Sequence, residues 1–162
     1  MSSDVSAYLD GLRLLSRREL SVANLRARLL DREHPPEEVD AAIARLLDTR
    51  ALDDARVARA FARTSASVKG RGRLRVMREL SQIGIAKDVA GEALAEVYGD
   101  LDERSLITRA LQKKMRGNAS LQPRRMTRAE NARLYQYLMR QGFSPAAIVD
   151  ALKRLGLRSP EV

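Results

Sequence analysis

The stretch VMRELSQIGIAKDVAGEALAEV, residues 76–97, decides the fold. Its apolar positions are Val76, Leu80, Ala90, Leu94 and Val97, with Gly84-Ile85 between the second and third. Steps of three and four keep each group on one face of a helix. A glycine followed by an apolar residue marks a helix end, because glycine adopts the left-handed conformation that terminates a helix and the next side chain folds back on the last turn. The segment therefore reads as helix, tight turn, helix. The same offsets recur upstream at Leu25, Leu29, Val39, Ile43 and Leu46, and downstream at Leu134, Leu138, Ile148, Leu152 and Leu155. The downstream break holds Gly142-Phe143 and the upstream one Glu33-His34. A helical unit of about 50 residues, written three times, is predicted. Such tandem units build long surfaces more readily than enclosed pockets.

Each unit gains a leading helix. In the first, residues 1–54, a helix near Ala7–Leu15 is expected to turn Tyr8, Leu9, Leu12 and Leu15 inward. Ser21 can cap a second helix, Val22–Leu30. Pro36 with Glu37 and Glu38 opens a third, since proline suits the first turn and carboxylates complement the positive end of the helix dipole. In the second unit, residues 55–101, a helix over about Ala55–Thr64 directs Val57, Ala58 and Phe61 inward. The basic loop Lys69-Gly70-Arg71-Gly72 follows, then helices at about Arg73–Gln82 and Ala86–Tyr98. In the third, residues 102–162, a helix runs to about Met115. A polar linker, Gly117 to Pro123, leads to the capping box Thr127-Arg128-Ala129-Glu130. The helix it opens ends at Gly142; Ser144-Pro145 starts the last helix and Gly156 ends it. The expectation is an all-α chain of three tandem three-helix repeats, about nine helices, in an elongated, curved array. Units of ~20–25 Å would span on the order of 60–75 Å end to end, given helix diameters of about 10 Å.

Composition agrees. Hydrophobic residues make up 44% of the 162 and aromatics only 4%, so the core is aliphatic and helix formers dominate. Without cysteine there is no disulfide, thiolate nucleophile or cysteine-bound metal. The opening residues lack a basic start followed by an apolar signal stretch, and no segment approaches the ~20 apolar residues of a membrane helix. A soluble cytoplasmic protein is expected.

The net charge of +9 is unevenly spread. Residues 1–54 hold 8 basic and 11 acidic side chains, residues 55–105 hold 10 and 7, and residues 106–162 hold 12 and 3. That gradient points to a polyanion or an acidic protein surface facing the last two units; the alternative is arginine decorating solvated helices. Two clusters carry it. Arg71, Arg73, Arg75 and Arg78 fan around one helix start. Lys113, Lys114 and Arg116, with Arg124, Arg125 and Arg128, bracket the polar linker, and Arg133 and Arg140 extend this set along the following helix. The guanidinium fork suits phosphate or carboxylate. The Gly70-Arg71-Gly72-Arg73 run also resembles a minor-groove arginine hook, but a helix follows at once.

Catalytic signatures are missing. There is no phosphate-binding G-K-[ST] loop, G-x-G-x-x-G, H-E-x-x-H or nucleophile elbow. His34, the lone histidine, reads as loop packing rather than a ligand or base. Asp53-Asp54, Asp100, Asp102 and Glu103 read as caps at helix starts more readily than as a Mg²⁺ site. Tyr135 and Tyr137, two apart on one helix, are expected to divide, one packed and one exposed. No cofactor, metal or small-molecule substrate is implied, and no enzymatic activity.

Four segments in order resemble the RecX family, bacterial regulators of the RecA recombinase. Leu14-Leu15-Ser16-Arg17-Arg18-Glu19-Leu20-Ser21 with Leu25-Arg26-Ala27-Arg28-Leu29 is similar to the family's opening. Ala51-Leu52-Asp53-Asp54-Ala55-Arg56-Val57-Ala58 is similar to its first junction. Gly70-Arg71-Gly72-Arg73-Leu74 with Arg78-Glu79-Leu80 and Gly84-Ile85 resembles its second-unit signature, and Leu138-Met139-Arg140-Gln141-Gly142-Phe143-Ser144 the close of its third. The resemblance covers about residues 7–157. Three positions depart: Glu33-His34 stands where Gly-apolar is usual, Ala51 replaces a common glycine, and Val57 an aromatic.

The resemblance implies a non-enzymatic regulator, mostly an inhibitor, in DNA repair and the SOS response. Such proteins lie in the groove of the RecA–DNA filament, bridge neighbouring protomers, and modulate recombination, ATPase and coprotease activity. The partner implied is the RecA filament, with the single- or double-stranded DNA inside it as a further one. The competing reading is direct DNA binding, because short trihelical units resemble helix-turn-helix folds.

Overall fold

The computed structural model describes residues 3–116 and 126–154, and among these it contains nine α-helices and no strand. They are α1 (Ser3–Arg17), α2 (Val22–Leu30), α3 (Pro36–Asp48), α4 (Asp54–Ser67), α5 (Arg73–Gln82), α6 (Lys87–Tyr98), α7 (Glu103–Arg116), α8 (Arg128–Gln141) and α9 (Pro145–Arg154). The all-α, tandem three-helix reading holds. The linker from Gly117 to Pro123, Leu155 and Gly156 lie outside the described residues.

The helix starts are set by the expected side chains. Ser21 Oγ accepts from the Asn24 N–H at 3.1 Å at the head of α2. Thr127 and Glu130 close a full capping box on α8. Asp53 Oδ1 accepts from the Arg56 N–H at 2.9 Å, and Asp102 accepts from the N–H groups of Arg104 and Ser105. Each satisfies a backbone donor that the helix itself cannot pair. Asp54 does something different: it accepts from the Val22 N–H at 2.8 Å and so ties the start of α4 to that of α2.

The three turns that separate the second and third helices share one geometry. Glu33, Gly84 and Gly142 all have positive φ, at 64°, 79° and 89°. In each, the next residue's N–H donates to the carbonyl five positions back: His34 to Leu29 at 3.3 Å, Ile85 to Leu80 at 3.1 Å and Phe143 to Leu138 at 3.4 Å. That bond defines the Schellman turn. Glu33 thus does glycine's work, at a cost of about 1–2 kcal/mol for a residue with a Cβ. His34, standing for the apolar residue, is half-buried and pairs its Nε2 with Asp10 of α1 at 3.1 Å.

The chain divides into two compact bodies, Met1–Phe61 with Glu79–Ala93, and Ala62–Arg78 with Leu94–Val162. In the first, α1 packs on α3 and α2 over a core of Leu14, Leu20, Leu25, Leu29, Val39, Ile43, Leu46 and Leu52. The inward face of α1 is not the expected one. Ala7 and Leu14 are buried, Tyr8, Leu12 and Leu15 flank them, and Leu9 is 43% exposed. The stripe that faces α3 runs Ala7, Gly11, Leu14, because the bare Cα of Gly11 lets Leu46 come close. In the second body, α7 and α8 pack on α9, burying Leu106, Ile107, Leu134, Leu138, Phe143, Ile148 and Leu152. Every described position of the repeated apolar pattern is buried except Val97, which is half-buried. On α4, Val57 and Ala58 are buried while Phe61 is only half-buried.

One joint occurs in both bodies. In the first, the α5–α6 turn sits on the start of α2: Ser21 Oγ donates to the Ile83 carbonyl, and a Cβ on Gly84 would strike that of Ala23. In the second, the α8–α9 turn sits on the start of α5. The Gly72 N–H donates to the Gln141 carbonyl at 2.8 Å and the Leu74 N–H to the Gly142 carbonyl at 3.0 Å. A Cβ on Gly72 would fall on the Gly142 carbonyl, and one on Gly142 would fall on the Arg75 backbone. Ser21 and Gly72 hold the same place in the repeat, as do Ile83 and Gln141, and Gly84 and Gly142. The second joint pairs carbonyls at the end of one helix with N–H groups at the start of another, so opposite ends of two helix dipoles meet. It also accounts for the Gly70-Arg71-Gly72 loop. Gly70 supplies a φ of 64°, the Arg71 N–H donates to Ser65, and the Arg71 carbonyl accepts from Tyr98 Oη at 2.8 Å.

Gly142→Ala is expected to lower stability by about 2–4 kcal/mol, combining left-handed strain with overpacking. Gly70→Ala, with the same sign of φ but no atom within 4 Å of its Cβ, should lose only about 1–2 kcal/mol. Urea unfolding of the two variants checks this, and equal losses would contradict the joint. Acid stability follows from the carboxylates. Asp10 is held below its ordinary pKa chiefly by the hydrogen bond with His34, and Asp53 by that from the Arg56 N–H. Their stabilisation is complete above the ordinary carboxylate value and is lost as pH falls through their lowered folded values. Burial raises Asp54, so the folded state gains relative stability there as pH falls. Helicity followed from pH 7 to 2 should therefore show a shallower acid loss in Asp53→Asn than in the parent, and a steeper one in Asp54→Asn.

Candidate docking surface

The residues expected to bind a partner all fall in the second body, save Arg124 and Arg125, which lie outside the described residues. Four lie at the head of α5. Arg71 is half-buried and its backbone is engaged in the joint's loop; Arg73 is exposed. Arg75 Nη1 donates to the Arg140 carbonyl at 3.4 Å, across 65 residues of sequence, and Arg78 Nε donates to the Leu74 carbonyl at 3.4 Å. The first bond holds the Arg75 guanidinium beside the C-terminal turn of α8, and the second lays that of Arg78 along its own helix. Arg140, in that turn, complements the negative end of its helix dipole.

The joint thus makes a groove. Leu74, Arg75, Met77 and Arg78 of α5 form one side; Met139, Arg140 and Phe143 form the other; the open volume is roughly 790 Å³. Arg140 also lines a smaller recess of roughly 300 Å³ with Ala132, Arg133 and Gln136. Four predicted residues are therefore drawn together: Arg75, Arg78, Arg133 and Arg140. Lys113 and Lys114 occupy the last turn of α7, where cations are favoured. Lys114 Nζ lies 5.1 Å from the centre of the Tyr137 ring, within cation–π range. Arg128 is exposed in the first turn of α8, where a cation gains nothing from the dipole.

Tyr135 and Tyr137 do not divide as expected: both are half-buried, since each borders the packed stripe of α8 that Leu134 and Leu138 centre. Burial raises the Tyr137 pKa above 10, and the charge of Arg75 partly opposes that rise. The groove's apolar floor was not anticipated. Met77 and Met139 are half-buried and Leu74 is 50% exposed. The available signal was Leu74 itself, a large aliphatic residue set between Arg73 and Arg75.

Chemically the groove sets several guanidinium groups beside apolar side chains. Guanidinium forks pair with planar carboxylate or phosphate oxygens in charge-assisted hydrogen bonds. Among the described residues no group of three or more His, Asp or Glu is placed to hold a metal ion, and no helix is long and apolar enough to cross a membrane.

Comparison with known proteins agrees with the repeat. Residues 7–46 match the first three-helix domain of RecX, and residues 53–94 match the second. A Pelodictyon phaeoclathratiforme regulatory protein RecX is 33% identical over 152 residues, 93% of this chain and 89% of its own. One from Chromohalobacter salexigens is 38% identical over 85 residues. The alignments cover 55% of that relative and 52% of one from Geobacillus kaustophilus, about half the length of each. The crystal structure of RecX from Lactobacillus salivarius superposes with a TM-score of 0.78 at 21% identity, covering 96% of this chain and 99% of that one. The chain belongs to the RecX family of regulatory proteins.

An alkaline absorbance titration checks the setting of Tyr137. Tyr137→Phe should remove a tyrosine that ionises above the ordinary value, so the variant should lose absorbance change from the alkaline end of the parent's titration. Because the folded state holds that proton more tightly, the parent should lose stability as pH rises past 10, and the variant should lose less.

Proposed function

We propose that this chain is a non-enzymatic regulator, mostly an inhibitor, of the RecA recombinase. It docks in the groove of the RecA–DNA filament through the basic face of its second body and restrains recombination, ATP hydrolysis and coprotease activity. The observation that carries the reading is the gathering of Arg75, Arg78, Arg133 and Arg140 around adjoining recesses in a chain of the RecX family. Membership supplies the class of partner, and the arginines supply a surface complementary to a filament of protein and DNA. The sequence units 1–54, 55–101 and 102–162 form three repeats, of which the acidic first sets orientation while the second and third dock. The cytoplasm, where the filament forms, is the site of action.

Charge reversal of Arg73, Arg75 and Arg78 to Glu should raise the concentration needed for half-inhibition of filament ATPase at least tenfold, with helicity retained. Unchanged inhibition by the folded variant would reject this surface. Salt separates the reading from direct DNA binding. Phosphate-dominated binding with 6–10 contacts weakens by about 10³–10⁵ between 50 and 200 mM salt, because released counterions drive it. Restraint of the filament that persists at 200 mM, after binding to naked DNA has vanished, supports the regulator. Parallel loss of both supports the DNA-binding module.

A further inference from the structure

We propose that the groove between α5 and the end of α8 takes an acidic peptide segment of a partner protein, anchored by one or two large aliphatic side chains. The proposal rests on the reading of the basic face as the docking surface and names the chemistry that this face captures. Two features of the groove lead to it. Its floor is thioether and aliphatic: Met77, Met139 and the half-exposed Leu74, over a fully buried Phe143. Its rim is cationic: Arg75, Arg78 and Arg140. Among the described residues no carboxylate pairs with Arg78 or Arg140, so their charge is available to an incoming one.

A flexible thioether adapts its shape to whatever aliphatic group enters, and methionine-lined surfaces suit segments of varied sequence. A carboxylate beside that group meets a guanidinium fork in a charge-assisted pair. The charges rim the apolar floor, so a segment with Glu or Asp on one side and Leu on the other satisfies both at once. Single-stranded nucleic acid fits less well. It is held by stacking bases on exposed aromatic faces, and the one aromatic ring of this groove, Phe143, is 0% exposed. A phosphate backbone would use the rim and leave the floor against water.

Fluorescence anisotropy with three labelled probes tests this. They are an acidic peptide with Leu at every third or fourth position, a peptide of equal charge with Ser for each Leu, and an oligo(dT) of about 20 nucleotides. The Leu peptide should bind at least tenfold more tightly than either other probe. The double variant Met77→Ser, Met139→Ser should weaken the Leu peptide at least tenfold and the Ser peptide less than twofold. Arg140→Glu should weaken both peptides. A readout that needs no variant is the ¹H–¹⁵N spectrum of the parent chain, in which the Leu peptide should shift amides 74–78 and 139–143. Equal binding of the two peptides, tightest binding of oligo(dT), or shifts confined elsewhere would overturn the proposal. The assay contains no recombinase. Failure here with filament restraint intact removes only this inference, whereas success here without restraint removes the proposed function.

Discussion

The structure depends on a backbone contact: a tight turn at the end of one helix pressed against the first residues of another. At Gly72 and Gly142 the two segments are so close that neither tolerates a Cβ. Two N–H groups that α5 cannot pair internally meet two carbonyls that α8 cannot pair. No apolar side chain is needed for the match, so it fixes register where leucine packing alone would allow sliding. The same joint recurs at Ser21 and Gly84, with a hydroxyl in place of an N–H as donor to the turn. A periodic chain can reuse one solution because each unit presents a turn and a helix start at a fixed stride.

The proposed function follows from where the joint leaves its neighbours. Arg75 and Arg78 belong to the first turns of α5, and Arg140 to the last turn of α8, so docking those two helix ends places all three around one groove. An exposed ion pair contributes only about 0–1 kcal/mol, and less in salt. Affinity must therefore come from several charges acting together with the apolar floor. A surface of this kind is suited to discriminating a partner of matched pattern rather than to holding any anion tightly.

Most of the helical architecture was legible in the sequence because it rests on local rules. The recurring Leu and Val offsets, Ser21, the Thr127–Glu130 box and the glycines at 84 and 142 each act within one turn, and each does what its chemistry dictates. Glu33 shows how such a rule bends: the turn was retained and the glycine was not, since packing of the first body outweighs the strain of one residue. Leu9 was misplaced because Gly11, silent in a hydrophobicity pattern, moved the contact stripe of α1 by one position. The candidate site was legible as a list of arginines but not as a place. Nothing local tells that Arg75 reaches Arg140 or that Met77 and Met139 share a floor, since those contacts depend on a joint closing across more than sixty residues.

Native-state hydrogen exchange at Gly72 and Leu74 tests the central claim most directly. If their amides are bonded to the end of α8, they should be protected to the same degree as the interior amides of α5, and lose that protection together in Gly142→Ala. Exchange of these two amides at the rate of an open loop, while the interior of α5 stays protected, would show that no such joint exists and that the arginine groove is not held in place.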